Sequence, residues 1–364
     1  MPDPATLLSQ LITRIAALQS TGDAHYLPGL FPSQRLQKTL RYRREDSNVF
    51  FTAAIVYTLQ ELRPQLPPAA QAEVAAIAAR GRATYPHYRR PNGQPTYNYY
   101  QTQPRRHFPH GYVLGRFRQF ATPDDLDSTS LVYLSDPSPD HDPAWLHAKL
   151  QAHANTVVGW ATTGPKDFRR RKIYSTWFGK YMPIEFDVST LSNGLLWHRR
   201  NDLPLNEFDL DSLALIDWVI TSGEYRRDPL GVSPYYATVP LIAYHVGRLA
   251  AEAPELAAAR AALLRDLPGL LVASPHFMDK LLLASTLLRL GAPPPPPAPA
   301  LLGPAPTLAE VEPRTRGLAF CIAPLLNYYP HTRWLARWRL SHIAWECPAY
   351  SLALVAEYLV LGGR

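Results

Sequence analysis

Apolar residues follow two rhythms along this chain. In the first, a small or polar residue opens the segment, one or two aromatics follow, and then come roughly three turns that are apolar on nearly every side. Six segments share it: residues 46–55, 125–132, 186–195, 233–241, 274–282 and 347–354. A helix without a polar face must be covered on both sides. In the second rhythm, seen over residues 4–18, 67–80, 142–151, 210–221 and 253–267, an apolar stripe faces a charged one. That suits a helix packed on one side only.

Buried helices alternating with amphipathic ones predict an all-α fold, an (α/α)6-type toroid or barrel with inner and outer helices, in a single domain over residues 1–364. The six segment starts lie roughly 40 to 80 residues apart, as in a degenerate repeat with insertions. Strand signal is slight. The stretch 82–119, rich in Tyr, Pro and Arg, reads as an inserted loop or flap over the cavity mouth. Residues 292–306 read as a Pro-rich connector within the domain, a stiff surface polyproline run. The 37 prolines suit many helices joined by tight loops.

In such a fold the inner-helix N-termini meet at one end, which would gather Asp46, Asp125, Asp127 and Asp187 from distant parts of the sequence. Each also has a purely structural reading, because Asp, Ser and Thr are favoured N-caps and a first-turn Asp complements the helix dipole. Asp187 and Asn193 are i, i+6, about 600° of helix rotation, so they do not share a face.

Composition narrows the chemistry. Charged residues make up 18% of the chain, and its two cysteines, Cys321 and Cys347, exclude a disulfide framework. No HExxH, zinc-type spacing, Gly-rich phosphate loop or nucleophile elbow is present, so no metal site is expected. The net charge of +7 favours anionic partners and leaves peripheral contact with a membrane surface open. Nucleic acid has no motif behind it. Met1-Pro2-Asp3-Pro4 lacks the regions of a signal peptide and no run reaches transmembrane length, so the expected setting is cytoplasmic, with membrane association as its variant.

The run Asp125-Leu126-Asp127-Ser128-Thr129-Ser130, preceded by Pro123-Asp124, resembles the Asp-x-Asp-Asp-Thr-Ala signature of class II terpene cyclases, the squalene–hopene cyclase relatives. Ser128 stands where that family has a second adjacent aspartate, and the family's glutamine–tryptophan repeats are absent. The resemblance implies an α/α toroid in which Asp127 is the general acid, Asp125 its acidic neighbour and Asp187 a second acid or orienting group. The reaction implied is protonation of a terminal alkene or epoxide, followed by cyclisation of a linear isoprenoid.

That chemistry needs a carboxylic acid kept neutral in a dry pocket, and aromatic faces along the path of the cation. Candidates to shape such a cavity and bind substrate are Asp46, Tyr99, Trp177 and Phe178, with Tyr235, Tyr236, Phe277, Tyr328, Tyr329 and Trp345. The implied partner is a small hydrophobic molecule. No cofactor is expected, magnesium entering only with a diphosphate substrate. His107 and His110, in the expected flap, read as exposed loop residues, and His276 as a residue opening an inner helix. Two other readings stand beside this one: a carbohydrate-active toroid, hydrolase or lyase, using paired aspartates, and a non-catalytic toroid that binds lipid or peptide.

Overall fold

The computed structural model describes residues 4–106, 122–138, 140–178, 182–292, 299–303, 306–324, 331–332 and 334–363. Helix α1 (Pro4–Leu18) is followed by strands β1 (Gln34–Gln37) and β2 (Tyr42–Glu45), then helices α2 (Phe50–Leu62) and α3 (Pro68–Arg82). Next come α4 (Leu126–Ser135), α5 (Pro143–Ala152), α6 (Val188–Arg200), α7 (Glu207–Thr221) and the short α8 (Glu224–Arg227) and α9 (Pro229–Val232). Helices α10 (Val239–Ala250), α11 (Ala257–Ala273), α12 (Phe277–Arg289), α13 (Pro299–Leu302) and α14 (Leu308–Arg314) precede strands β3 (Cys321–Pro324) and β4 (His342–Glu346). Helix α15 (Pro348–Gly362) closes the described chain.

Each of the six all-round apolar segments holds a helix or its start: α2, α4, α6, α10, α12 and α15. They pack in a cycle, α2 on α4, α4 on α6, α6 on α10, α10 on α12, α12 on α15 and α15 back on α2. Residues 50–59 of α2 and 349–358 of α15 are buried without interruption, as helices covered on both sides require. Amphipathic helices lie outside: α1 against α15 and α3, α3 against α2, α7 against α6 and α11, and α11 against α12. One apolar cluster runs from Leu7 to Val360.

The all-α expectation is corrected. A four-stranded antiparallel sheet in the order β2-β1-β4-β3 makes the fold mixed, with helices dominant, and removes it from the all-α toroid class. Arg35 of β1 pairs with Trp345 of β4, which in turn pairs with Cys321 of β3. The sheet sits at the N-terminal ends of the helices that follow it, since β2 leads toward α2 and β4 reaches α15 across Cys347 alone.

The described part of the 82–119 insertion is packed rather than free: Tyr85, Tyr88, Tyr97 and Tyr100 are buried. The Tyr97 carbonyl accepts from the Asp125 amide at 3.2 Å, and the Tyr99 carbonyl from the Val49 amide at 3.2 Å, so this stretch lies against the starts of α4 and α2. Residues 107–119 of the expected flap, with His107 and His110, lie outside the described residues, as do 293–298 and 304–305 of the expected connector and Tyr328 and Tyr329. Among the described residues no helix is long and apolar enough to cross a membrane.

Candidate functional site

Asp125 and Asp187 begin as helix caps. The Asp125 side chain accepts from the Ser128 amide at 2.6 Å to start α4, and Asp187 Oδ1 accepts from the amides of Ser189 at 2.9 Å and Thr190 at 3.0 Å to start α6. Asp46 does not cap: in α2 that position falls to Val49, and Asn48 Oδ1 accepts from the Phe51 amide at 3.3 Å. Asp127 does not cap either. It lies in the first turn of α4 with its carboxylate turned inward.

Both Asp127 oxygens are engaged. Oδ1 accepts from Asn193 Nδ2 at 2.7 Å and Oδ2 accepts from the Tyr236 hydroxyl. The Asn193 amide is oriented by its far side, where Oδ1 meets His245 Nδ1 at 3.0 Å. Since that oxygen can only accept, the proton of His245 is on Nδ1 and the lone pair on Nε2, a buried atom with no hydrogen-bond partner among the described residues. Burial holds His245 well below the ordinary histidine range, helped by the Arg248 charge, so the ring is neutral.

The Asp127 carboxyl is pushed up to about 7, chiefly by burial; the hydrogen bonds from Tyr236 and Asn193 pull it down, Asp187 pushes it up and Arg248 opposes that. Burial likewise takes Asp187 up to about 6 against its hydrogen bonds, and raises Asp125 well above the usual carboxylate range. Asp125 Oδ2 is buried and without a hydrogen-bond partner among the described residues.

The remaining aspartates are tied to the loops and to the sheet. Asp187 also accepts from Ser233 Oγ at 2.7 Å and from the Tyr235 amide at 2.9 Å, which joins α6 to the approach of α10. Asp46 accepts from Trp345 Nε1 at 2.8 Å, with the Arg35 guanidinium 3.7 Å away, and so joins β1 and β4 to the start of α2. Cys321, half-buried at the start of β3, reports the convergence: burial raises its thiol, and the charges of Asp127, Asp187, Asp125 and Asp46 raise it further.

Aromatic rings line this end. Tyr236 lies 6.2 Å from Phe50, 5.8 Å from Phe320 and 4.5 Å from His245, centre to centre. Tyr99 stacks on Phe50 at 6.1 Å and meets Trp345 edge-on at 6.2 Å. Trp177 is delivered beside Asp125 by a bridge between the two residues, flanked by hydrogen bonds from the Leu126 amide to the Thr176 carbonyl at 2.8 Å and from the Phe178 amide to the Asp124 carbonyl at 2.9 Å. The indole of Trp177 and the hydroxyl of Tyr235 both donate to Glu185 Oε2, at 3.3 Å and 2.6 Å, with the two rings 5.7 Å apart.

Two of the expected aromatics go elsewhere. Phe178, the next residue in an extended stretch, meets His153 instead. Phe277 stacks under the Arg314 guanidinium at 4.1 Å, with His276 beside it, in a separate groove of about 790 Å³. Asn193, His245, Glu185, Phe320 and Cys321 are the site residues that sequence reasoning missed or set aside. For Asn193 the i, i+6 spacing to Asp187 was the wrong comparison, since its partner is Asp127 on α4.

No family model matches the chain, and neither a curated protein nor a solved structure is found similar to it.

Proposed function

We propose that this end of the helix ring is the active site of an enzyme that protonates a linear isoprenoid and lets it cyclise, with Asp127 as the general acid. The observation that carries the reading is the state of Asp127: a buried carboxyl pushed up to about 7, held between a phenol and an amide, in a setting of aromatic rings. Such a group is a carboxylic acid over much of the working pH range, as alkene protonation requires.

The Asp127 proton adds to the CH carbon of the terminal dimethyl-substituted alkene, and the π electrons form the new C–H bond. The adjacent carbon becomes a tertiary cation, and the next double bond attacks it. The carboxylate left behind is stabilised by the donors already in place, Tyr236 O–H and Asn193 N–H. The cation is stabilised by faces such as Phe50, Tyr99, Tyr236 and Phe320. The final cation loses one proton to water and Asp127 takes one back from water, which restores both composition and acid, so the reaction is an isomerisation. Asp125 assists by its raised neutral carboxyl, and Asp187 as an orienting group through Ser233 and the Tyr235 amide.

Sugar chemistry is less well supported. It needs a second carboxylate free to act as base or nucleophile. Of the other aspartates, Asp187 and Asp46 are occupied by structural donors, and Asp125 keeps one oxygen, Oδ2, without a hydrogen-bond partner among the described residues.

The test is incubation with squalene and with farnesyl and geranylgeranyl diphosphates, followed by product analysis. The reading expects a cyclic isomer that falls by about 100-fold or more in Asp127→Asn. A cyclic product unaffected by that substitution, or no turnover of any of the three, overturns it.

A further inference from the structure

At the far end of α6, away from the caps that gather the aspartates, three potential metal ligands meet. His147 comes from α5, His198 from the last turn of α6 and Asp209 from the first turn of α7. One donor atom from each lies within 4.8 Å of the other two, and all three residues are buried. His147 Nε2 is 3.0 Å from Asp209 Oδ2, and His198 Nε2 is 3.6 Å from the same oxygen. For comparison, ligands at ~2.0–2.1 Å from a tetrahedral ion are about 3.3 Å apart.

We propose that His147, His198 and Asp209 form a site for a divalent transition-metal ion of the zinc class. The second, independent observation is His198 itself. The residue is only 2% exposed, and its Nε2 is buried with no hydrogen-bond partner among the described residues, though it faces the cluster. A ring nitrogen left bare in a buried place costs free energy unless something accepts its lone pair. His198 Nε2 faces Asp209 Oδ2 at 3.6 Å, in the position from which a ring nitrogen could ligate an ion held by the cluster.

Asp209 is also oriented. Its Oδ1 accepts from the Tyr174 hydroxyl at 2.8 Å and its Oδ2 from the Asn206 amide at 2.9 Å. His147 Nε2 is hydrogen-bonded to Asp209 Oδ2 at 3.0 Å and lies 3.2 Å from Asn206 Nδ2, contacts that metal binding would exchange for the ion. Two imidazoles and one carboxylate suit zinc or cobalt over magnesium or calcium, which prefer all-oxygen sites. With three protein ligands the fourth position falls to water, and the His147 side chain, 11% exposed, marks the side from which water arrives. The ion would tie α5, α6 and α7 together on the outside of the ring.

The test uses the tag-free full chain, stripped with a chelator and titrated calorimetrically with Zn²⁺, with His147→Gln and His198→Gln alongside. Expected are one equivalent bound with Kd below about 1 µM, and a loss of at least about 100-fold in each variant. Absence of saturable binding, or equal binding by the variants, overturns the proposal, the latter because the ion would then sit on other histidines. Asp209→Asn is avoided because Asp209 also forms the capping box of α7. Should the glutamine variants not fold, the cobalt-loaded wild-type chain decides: intense visible bands of four-coordinate Co²⁺ support the site, and the weak spectrum of the hydrated ion refutes it.

Discussion

Asp127 is held by two donors that favour its ionised form and by a burial that favours its neutral form, and burial wins. Its acid strength is therefore set by a balance that single residues can tip. Asn193→Ala removes one of the donors, so the Asp127 carboxyl should rise further and become a weaker acid. In a pH–rate profile the wild-type rate should fall as pH rises through about 7. The variant should lose roughly 10- to 100-fold on its low-pH plateau, with its falling limb displaced to higher pH. A limb that stays in place would mean that Asn193 only fills space. Asp127 could be singled out in the sequence because an acidic pair before a run of hydroxyl residues is a local signal. Asn193 and His245 could not, because their roles are defined by partners 66 and 52 residues away.

At the scale of elements, the six helix starts were legible because all-round apolarity is a local property, and so are the side-chain caps Asp125, Asp187 and Thr238 that open three of them. The four strands were not. Each is four or five residues long, and Gln34-Arg35-Leu36-Gln37 and Tyr42-Arg43-Arg44-Glu45 show neither β-branched enrichment nor a clean alternation of apolar and polar residues. They pair because the ring brings them together, and Arg35 and Trp345 then find Asp46. The closeness of neighbouring helices can be tested at Gly247 of α10. A Cβ there would stand 2.4 Å from Thr286 Cγ2 on α12. Gly247→Ala gains about 1 kcal/mol of helix propensity. The forced separation of α10 from α12 should outweigh that gain and leave a net loss of roughly 1–2 kcal/mol in denaturant unfolding. Unchanged or higher stability would show that the two helices have room to spare.

Across the whole molecule, the ring buries Asp125, Asp127 and Asp187 with their carboxyls raised, and the cost of burying them is borne by global stability. Convergence of the aspartates was legible once six helices were expected to share an end; the neutral state of Asp127 was not, since it depends on burial. A carboxyl with a folded-state pKa above its unfolded value keeps its proton in the native protein while the unfolded chain gives it up. Stability therefore falls as pH rises between the two values and levels off above the folded one. For Asp127 that window runs from 3.8 to about 7. Asparagine does not titrate, so the most direct measurement is the unfolding free energy of the wild-type chain minus that of Asp127→Asn, taken from pH 4 to pH 8. The predicted result is a difference that declines by on the order of 3 kcal/mol up to about pH 7 and is flat above it. A difference that stays level across this range, or that grows with pH, would mean that Asp127 is ionised in the folded protein and would contradict its role as the acid.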